Sequence, residues 1–452
     1  MFRRWLALGT SAVLLLAACG SGASPSPSTA PVGSAPASSA PASSGASSGA
    51  PGASGAPASS GQGGTGSFDA SSVSGDITLA GWSAAGSTEE KALQSVLNSF
   101  MQKYPKIKVT FQPVAGDYPT SMVAKFSAHQ PPDLFYVDSS YAQDWIQQGV
   151  LYNLSPWIQG RGFSTSAFYP GYLKAFTGPN GNVYGIPKDA NTLGMAYNPT
   201  MLTKAGISSP PTTLDELMSD AAKIKAAGMM PMCLSLDLAR AAAFIYADGG
   251  SLFTNGNKSE GIDQPAAVKG VQYYLNLFKQ GYGQSPSALG VDWCGHALGE
   301  QKAAIIFEGA WLDPYMQSTY PKVSYKWADF PKGTQQATLG FTVSYSIGVD
   351  SPNKDAAWVL MTYLTGPTGM QQWTQGGIGN PSRKDVQGLA ANKLLIDQGQ
   401  YAVPWAFVPG FTAKVYPAFN NALTAAVQKN GSAQDIISAT KAAEQQVLAG
   451  GS

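Results

Sequence analysis

The sequence predicts an α/β protein, because short apolar strands alternate with longer amphipathic helices along most of the chain. Residues 77–80 form a short apolar run, and Ser87 and Glu90, three residues apart, then form a helix-capping pair. A second apolar run lies at 134–137. The segment 68–452 exceeds the usual size of one domain, so we expect two lobes.

Each element follows from apolar spacing and from residues that begin or end helices. Apolar side chains recur at helical spacing after Ser87 until Pro105, and Pro265 opens a similar run that Gly281 closes. The predicted strands are 77–80, 107–111, 134–137 and 304–307, and the predicted helices are 87–104, 213–228, 265–281 and 353–364. We expect mostly parallel sheets that bind ligands beyond the carboxyl ends of their strands.

The start of the chain has the pattern of an export signal. Arg3 and Arg4 precede an apolar run over 5–16, which is too short to span a bilayer. Leu16-Ala17-Ala18-Cys19 resembles the lipobox of bacterial lipoproteins, which implies that 1–19 is a lipoprotein signal and that Cys19 is acylated. The alternative is an ordinary signal cleaved nearby, with Cys19 discarded.

A linker is predicted over 20–67, which consists almost entirely of Gly, Ala, Ser, Pro and Thr. Such a segment buries too little apolar surface to offset its ordering entropy, so we expect it to be disordered. About 46 residues of this composition reach roughly 35–40 Å. A lipid at Cys19 and this linker would hold the folded domain near the membrane.

Charge and histidine usage exclude several classes of partner. Lys and Arg number 28 against 27 Asp and Glu, and there is no basic tract, so we expect no nucleic-acid partner. The two histidines, His129 and His296, lie far apart and form no metal-binding motif. The sequence therefore predicts neither a metal nor another cofactor.

Two cysteines remain once Cys19 is assigned to the lipid. An even number of remaining cysteines in an exported protein favours a disulfide, here between Cys233 and Cys294. Closing a loop of ~60 residues would stabilise the fold by about 4 kcal/mol in the chain-entropy model. The alternative is two unpaired buried thiols.

A series of short motifs resembles one family along nearly all of the chain after residue 77. The family is the extracellular solute-binding proteins of bacterial ABC importers, in their maltose-binding-protein-like, sugar-capturing group. The motifs are Pro131-Pro132-Asp133-Leu134-Phe135, Gly149-Val150-Leu151, Tyr184-Gly185-Ile186-Pro187, Met195-Ala196-Tyr197-Asn198, Asp248-Gly249-Gly250, Glu308-Gly309-Ala310-Trp311, Ser351-Pro352-Asn353-Lys354 and Gly379-Asn380-Pro381. They occur in the order that the family has them.

The resemblance implies a periplasmic-binding-protein-like α/β fold with two discontinuous lobes and a ligand cleft between them. Lobe 1 would hold 74–187 plus 331–375, and lobe 2 would hold 188–330 plus 376–452. The chain would cross between lobes near Pro187, Pro331 and Gly376. The resemblance also implies an exported monomer that delivers its ligand to the permease subunits of an ABC transporter.

Trp311 and Asp189 are the central candidates for ligand contact. Trp311 and Glu308 follow the strand at 304–307, where the family places a stacking aromatic, and the alternative for Trp311 is a core tryptophan. Asp189 lies just past the first crossing and resembles the family's acidic contact to sugar hydroxyls. Lys188 beside it is a ligand contact or one partner of a surface ion pair.

The remaining candidates follow other strands and loops. Asp138 follows the strand at 134–137 and is either a cleft residue or the N-cap of a helix at 141–148. Phe341 is a core or wall residue, and Arg383 is a hydrogen-bond donor to the ligand or solvated. The other predicted contacts are Ser139, Tyr141, Trp82 with Ser83, Tyr118, Asp237 and Arg240. Ala239 stands where maltose-type relatives carry an aromatic, which argues against maltodextrin as the ligand.

Aromatic planes combined with carboxylates and amides suit a sugar, which presents an apolar C–H face and an edge of hydroxyls. We therefore expect a carbohydrate-binding lipoprotein, anchored to the outer face of the cell membrane, that captures a mono- or oligosaccharide by cleft closure. One alternative is the same fold binding a polyamine, a peptide or an organophosphate. The other is a secreted sugar-active enzyme, but no local pattern marks its catalytic carboxylate pair, so we expect no enzymatic activity.

Overall fold

The structure is a computed structural model that describes residues 68–82, 86–114, 116–386, 388 and 393–450. The predicted export signal, Cys19, the linker at 20–67 and Ser83 lie outside these residues. The described chain contains two large sheets with helices packed on them, which confirms the α/β prediction.

The strands supply two large sheets and one hairpin. They are β1 (Gly75–Gly81), β2 (Ile107–Pro113), β3 (Leu134–Asp138), β4 (Ile186–Thr192), β5 (Gly194–Tyr197), β6 (Met232–Cys233), β7 (Phe253–Thr254), β8 (Ser259–Glu260), β9 (Gly283–Gln284), β10 (Ile305–Glu308), β11 (Lys326–Ala328), β12 (Thr338–Ile347) and β13 (Ala402–Pro404). The first sheet has the order β13-β12-β3-β1-β2, with β4 also paired to β12, and the second has the order β11-β5-β10-β6-β9. β7 and β8 form the hairpin.

Both large sheets are mixed, whereas the sequence predicted mostly parallel ones. β1 runs parallel to β2 and β3, but β12 is antiparallel to both β3 and β4. In the second sheet β5 is antiparallel to β10 and β11. Helices connect the strands of the parallel pairs. The antiparallel pairs involve β4, β5 and β12, the strands at which the chain passes from one sheet to the other.

The helices confirm the four that the sequence predicts. They are α1 (Thr88–Lys103), α2 (Tyr118–Ser127), α3 (Ala142–Gln147), α4 (Ser155–Gly160), α5 (Pro170–Ala175), α6 (Pro199–Lys204), α7 (Leu214–Ala226), α8 (Leu238–Ala247), α9 (Pro265–Lys279), α10 (Cys294–Gly299), α11 (Leu312–Thr319), α12 (Lys354–Leu364), α13 (Pro367–Thr374), α14 (Lys393–Asp397), α15 (Tyr416–Gln428) and α16 (Ala433–Leu448). The Ser87 side chain accepts a hydrogen bond from the Glu90 amide at 3.1 Å, and Thr213 and Glu216 form a reciprocal capping box. These local hydrogen bonds satisfy amides that the helix itself leaves unpaired.

Two large hydrophobic cores lie on the two sheets. The first contains Leu79, Phe135 and Trp358, and the second contains residues from β5, α8, α9, α15 and α16. Along β12 the buried residues pass from the second core at Leu339 to the first at Val343. β4 and β12 therefore connect the two cores. The lobe boundaries near Pro187, Pro331 and Gly376 stay predictions.

A third, smaller core lies beside the second and contains a disulfide between Cys233 and Cys294. Both cysteines are buried, one at the end of β6 and one at the start of α10. No helix in the described part of the chain is both long enough and apolar enough to cross a membrane. The described residues also contain no cluster of three side chains suited to hold a metal ion.

Candidate functional site

A cavity of about 310 Å³ lies between the first and second cores, where β1 and β3 end and where β4 and β12 pass. Trp82 packs on the first core, whereas Trp311 and Phe341 pack on the second. The predicted site residues that line this cavity are Trp82, Asp138, Lys188, Asp189, Arg240, Trp311 and Phe341. The structure therefore brings together side chains that are far apart in the sequence.

Aromatic rings form opposite walls of the cavity. Trp82 is half-buried and packs edge-on against Tyr118 and Tyr136, with ring centroids 5.2 Å and 5.0 Å away. Gly81 allows this packing, because a Cβ at that position would lie 2.6 Å from the Tyr136 ring. On the other wall, Trp311 is half-buried and its ring centroid lies 5.9 Å from that of Phe341.

The register of β12 places two acidic residues at one level of the cavity. Val343 lies opposite Asp138 on β3 and opposite Asp189 on β4. Asp138 Oδ1 accepts hydrogen bonds from the Ser140 amide at 2.8 Å and the Ser140 hydroxyl at 2.6 Å. Burial raises the pKa of the Asp138 carboxyl, and the charge of Asp189 adds to this rise, while the Ser140 hydrogen bonds oppose it.

Lys188 and Asp189 form a buried ion pair at the base of the cavity. Their side chains are 2% and 8% exposed, and the Lys188 ammonium donates to Asp189 Oδ2. Trp373 Nε1 also donates to Asp189 Oδ2, at 3.2 Å. The ammonium lies 4.0 Å from the Trp373 ring centroid and 4.7 Å from that of Tyr136. Lys188 is thus neither solvated nor in a surface ion pair.

Arg240 and Trp311, which line the opposite wall, are joined by the buried carboxylate of Glu308 behind it. Glu308 is 1% exposed, and its Oε2 accepts from Arg240 Nη2 at 2.8 Å and from Trp311 Nε1 at 3.0 Å. Burial raises the pKa of the Glu308 carboxyl, although the Arg240 charge opposes this shift. Burial disfavours the Arg240 cation, but Glu308 and Asp237 outweigh it and raise the pKa of Arg240. Glu308 thus positions both wall residues without lining the cavity itself.

Two polar atoms of the lining lack a hydrogen-bond partner among the described residues. They are the Asn191 side-chain oxygen, an acceptor, and Arg240 Nε, a donor. Ser139, next to Asp138, is fully buried and its hydroxyl also lacks a partner within the described chain. A buried polar group without a hydrogen bond costs ~1–3 kcal/mol. Both lining atoms are themselves buried, so a group in the cavity would reach them only if these side chains move.

Several predicted site residues lie outside the lining. Tyr118 is buried behind Trp82 and donates to the Tyr136 carbonyl at 3.0 Å, and Tyr141 packs on Trp145 with ring centroids 4.5 Å apart. Asp237 is the N-cap of α8, where it accepts from the Arg240 amide at 2.8 Å.

Arg383 is buried, whereas the sequence left it either solvated or bound to ligand. Its Nε and Nη2 donate to the Asp385 carboxylate at 2.8 Å and 2.7 Å, and its guanidinium lies 5.0 Å from the Phe168 ring centroid. Asp138 is not a helix N-cap, because α3 begins after Tyr141 and has no side-chain cap. Its Ser140 hydrogen bonds instead close a turn directly after β3.

The cavity also contains residues that the sequence argument did not select, namely Glu89, Asn191, Thr342, Val343 and Ile378. Asn191, Thr342 and Val343 lie one or two residues from the predicted site residues on β4 and β12. The alternation of side chains along these two strands could therefore have identified them. Glu89 lies in the first turn of α1. Nothing local in the sequence marks Ile378.

Comparisons with known proteins agree with this architecture. A family model described as bacterial extracellular solute-binding protein matches residues 84–371, more than half of the chain. A putative binding protein of Brucella abortus is 26% identical over 283 residues, which is 60% of this chain and 67% of that protein.

Solved structures show the same two-lobed fold. An ABC substrate-binding protein from Listeria monocytogenes in complex with cycloalternan has a TM-score of 0.75 and 19% identity, covering 83% of this chain and 99% of that chain. UgpB from Mycobacterium tuberculosis in complex with glycerophosphocholine has a TM-score of 0.73 and 17% identity, with the same coverage. At these identities the likeness establishes the fold alone.

Proposed function

The chain belongs to the bacterial extracellular solute-binding proteins, and from this premise we propose that it captures a mono- or oligosaccharide in the cavity described above. Capture would occur by closure of the two lobes, and the loaded protein would deliver the sugar to the permease subunits of an ABC transporter. The family consists of binding proteins, so we propose binding without turnover. Membership also implies that the protein is exported.

The observation that carries the sugar assignment is the pairing of aromatic faces with unpaired hydrogen-bonding atoms of both kinds. Trp82 and Trp311 offer surfaces for the C–H face of a ring. Asn191 Oδ1 is an unpaired acceptor and Arg240 Nε an unpaired donor; both atoms are buried in the ligand-free cavity, and a hydroxyl, which does both, would satisfy each if closure turned these side chains toward the sugar.

Charge pairing argues against an anionic ligand. Of the cations that line the cavity within the described residues, Lys188 is paired with Asp189 and Arg240 with Glu308. An organophosphate would need a cation without a buried counter-ion, which neither pair supplies, whereas a neutral sugar leaves both pairs intact. The Asp138 carboxylate also lines the cavity and belongs to neither pair, so a polyamine is tested beside the sugars.

A thermal-shift screen of the full chain tests the proposal. The panel contains mono- and oligosaccharides, with glycerol phosphate, an anion, and spermidine, a cation, as charged comparators. A sugar at 100 times its Kd should raise the melting temperature by about 3 °C. Each sugar that shifts the transition is then incubated with the protein and recovered, and we expect it back unchanged. A shift with a charged comparator and with no sugar would overturn the sugar assignment, and recovery of a cleaved sugar would overturn binding without turnover.

A further inference from the structure

The segment between β13 and α15 belongs to the second core but contacts a helix of the first. Phe407 and Phe411 of this segment are buried in the second core, whereas Tyr141 and Trp145, at and within α3, are buried in the first. Residues Phe411–Val415 form a π-helical turn that leads directly into α15. Such turns are rare and frequently occur at functional sites.

Two hydrogen bonds join this segment to the first lobe, and we call the four residues that make them the interlobe clasp. The Thr412 hydroxyl donates to the Ser140 carbonyl at 2.8 Å, and the Gly410 amide donates to the Asp144 carboxylate. Gly410 is buried with a φ of 82°, a left-handed conformation that a residue with a Cβ rarely adopts. The turn that presents the Gly410 amide therefore depends on glycine.

The clasp connects to both walls of the cavity. On the first lobe, Ser140 donates both of its hydrogen bonds to Asp138, a lining residue. On the second lobe, the π-helical turn ends at Tyr416, and the Asp237 and Asp138 carboxylates both raise the pKa of its hydroxyl after burial. One turn further along α15, the Asn420 side chain accepts from the Leu238 amide at 2.8 Å, at the start of the helix that carries Arg240.

We propose that the interlobe clasp stabilises the closed arrangement of the lobes and so sets the affinity for the ligand without touching it. The clasp joins the turn that holds Asp138, in one wall of the cavity, to the segment that leads into α15, so a motion that separates the cavity walls would break both of its hydrogen bonds. Removing either bond lowers the closed fraction, and apparent affinity falls in proportion to that fraction. The link to affinity rests on the proposed capture by closure.

Amide hydrogen exchange of the ligand-free full chain tests the clasp directly. The variants are Thr412→Val and Asp144→Ala, which remove one partner from each hydrogen bond. The matched control is Thr362→Val, because the Thr362 hydroxyl is also half-buried and donates to a backbone carbonyl, but within α12 of one lobe. In each clasp variant we expect exchange to rise about 3- to 10-fold over 140–147 and over 408–416 together. The control should leave both segments unchanged.

The pattern of exchange distinguishes a clasp from a local structural contact. A rise confined to 408–416, with 140–147 protected as in the wild type, would overturn the proposal. A second arm measures calorimetric affinity for the sugar that gives the largest thermal shift in the panel above. Both clasp variants should bind that sugar about 3- to 10-fold more weakly, and Thr362→Val should bind it normally. If no sugar binds the wild type, the proposed function fails, while the exchange measurement still decides the clasp.

Discussion

Trp311 and Trp327 are two half-buried tryptophans whose indole N–H groups donate to buried carboxylates. Trp311 donates to Glu308 at 3.0 Å, and Trp327 donates to Asp313 at 2.8 Å. They differ in position, because the Trp311 ring lines the cavity and the Trp327 ring packs beside the third core. The pair therefore separates a loss of ligand contact from a loss of packing.

Trp311→Ala should weaken sugar binding by about 2–4 kcal/mol, or ~30- to 1000-fold in Kd, because it removes a desolvated stacking surface. Because Trp311 also packs on the second core, Trp311→Ala should lower the melting temperature of the ligand-free protein, and Trp327→Ala should lower it at least as much but leave sugar binding unchanged. Calorimetric titration and thermal melting of both variants measure this. If Trp311→Ala bound the sugar normally, Trp311 would be a packing residue only.

Lys188→Met should cost about 3–5 kcal/mol of folding stability, because it leaves the Asp189 carboxylate buried without its cation. Denaturant unfolding of the ligand-free protein measures the loss. Lys393→Met is the control, since Lys393 and Asp397 form an exposed pair whose removal should cost less than ~1 kcal/mol. A Lys188 variant as stable as this control would mean that the buried pair contributes nothing to folding.

Among individual residues, the sequence predicts the lining of the cavity best where a side chain directly follows a strand. Trp82, Asp138 and Trp311 lie at or just after strand ends, and all three line the cavity. The carboxylate partner of Arg383 is only two residues away, but its burial against Phe168 depends on a contact across more than two hundred residues of sequence. Nothing in the local pattern could have predicted that contact.

Among the elements, α16 carries a carboxylate whose ionisation opposes folding. Glu444 is fully buried, and its Oε2 accepts from the amides of Gly261 at 3.3 Å and Ile262 at 3.5 Å. Burial raises the pKa of Glu444 from 4.5 to about 8. Between these two values the folded protein holds a proton that the unfolded chain has released. The free energy of unfolding therefore has its full value below about pH 4.5, as far as Glu444 is concerned, and it falls as the pH rises toward 8.

Glu444→Gln should remove this pH dependence while keeping an oxygen acceptor for the two amides. We expect the free energy of unfolding between pH 5 and pH 8 to fall less steeply in the variant, by up to about 1.4 kcal/mol per pH unit. Glu260→Gln is the control, because hydrogen bonds lower the pKa of Glu260 and its ionisation is complete below this range. Parallel pH profiles for Glu444→Gln and the wild type would mean that Glu444 is ionised in the folded protein.

Helices could be predicted because their signals are local. Ser87 and Thr213 begin helices through hydrogen bonds to residues three positions away, so the sequence alone specifies them. The direction of β12 could not be predicted in this way, because its pairing with β3 and β4 joins segments about two hundred and one hundred and fifty residues away. The π-helical turn at Phe411–Val415 likewise has no local signature in the sequence.

On the scale of the whole molecule, the cavity exists only because the chain passes repeatedly between its two cores. Its lining comes from β3, β4, β12, the residue after β1, the starts of α1, α8 and α11, and Ile378 in the segment after α13. The family resemblance predicted the two-lobed fold, since a set of weak motifs in a given order is specific even when each one is not. The pairing of buried polar groups could not be predicted in this way, because whether the Asn191 oxygen finds a hydrogen-bond partner depends on side chains from several elements.

A lipid at Cys19 would set where the whole molecule works. We propose that acylated Cys19 anchors the chain at the outer face of the cell membrane, and that the linker over 20–67 lets the folded lobes reach roughly 35–40 Å from it. Cys19→Ala removes the acceptor thiol but leaves the apolar run at 5–16 to direct export. The variant should therefore be exported and then recovered in the soluble fraction, whereas Ser21→Ala, a substitution two residues away, should pellet with membranes like the wild type. Immunoblotting of membrane and soluble fractions measures this distribution, and a Cys19→Ala variant that still pelleted with membranes would show that the lipid is not the anchor.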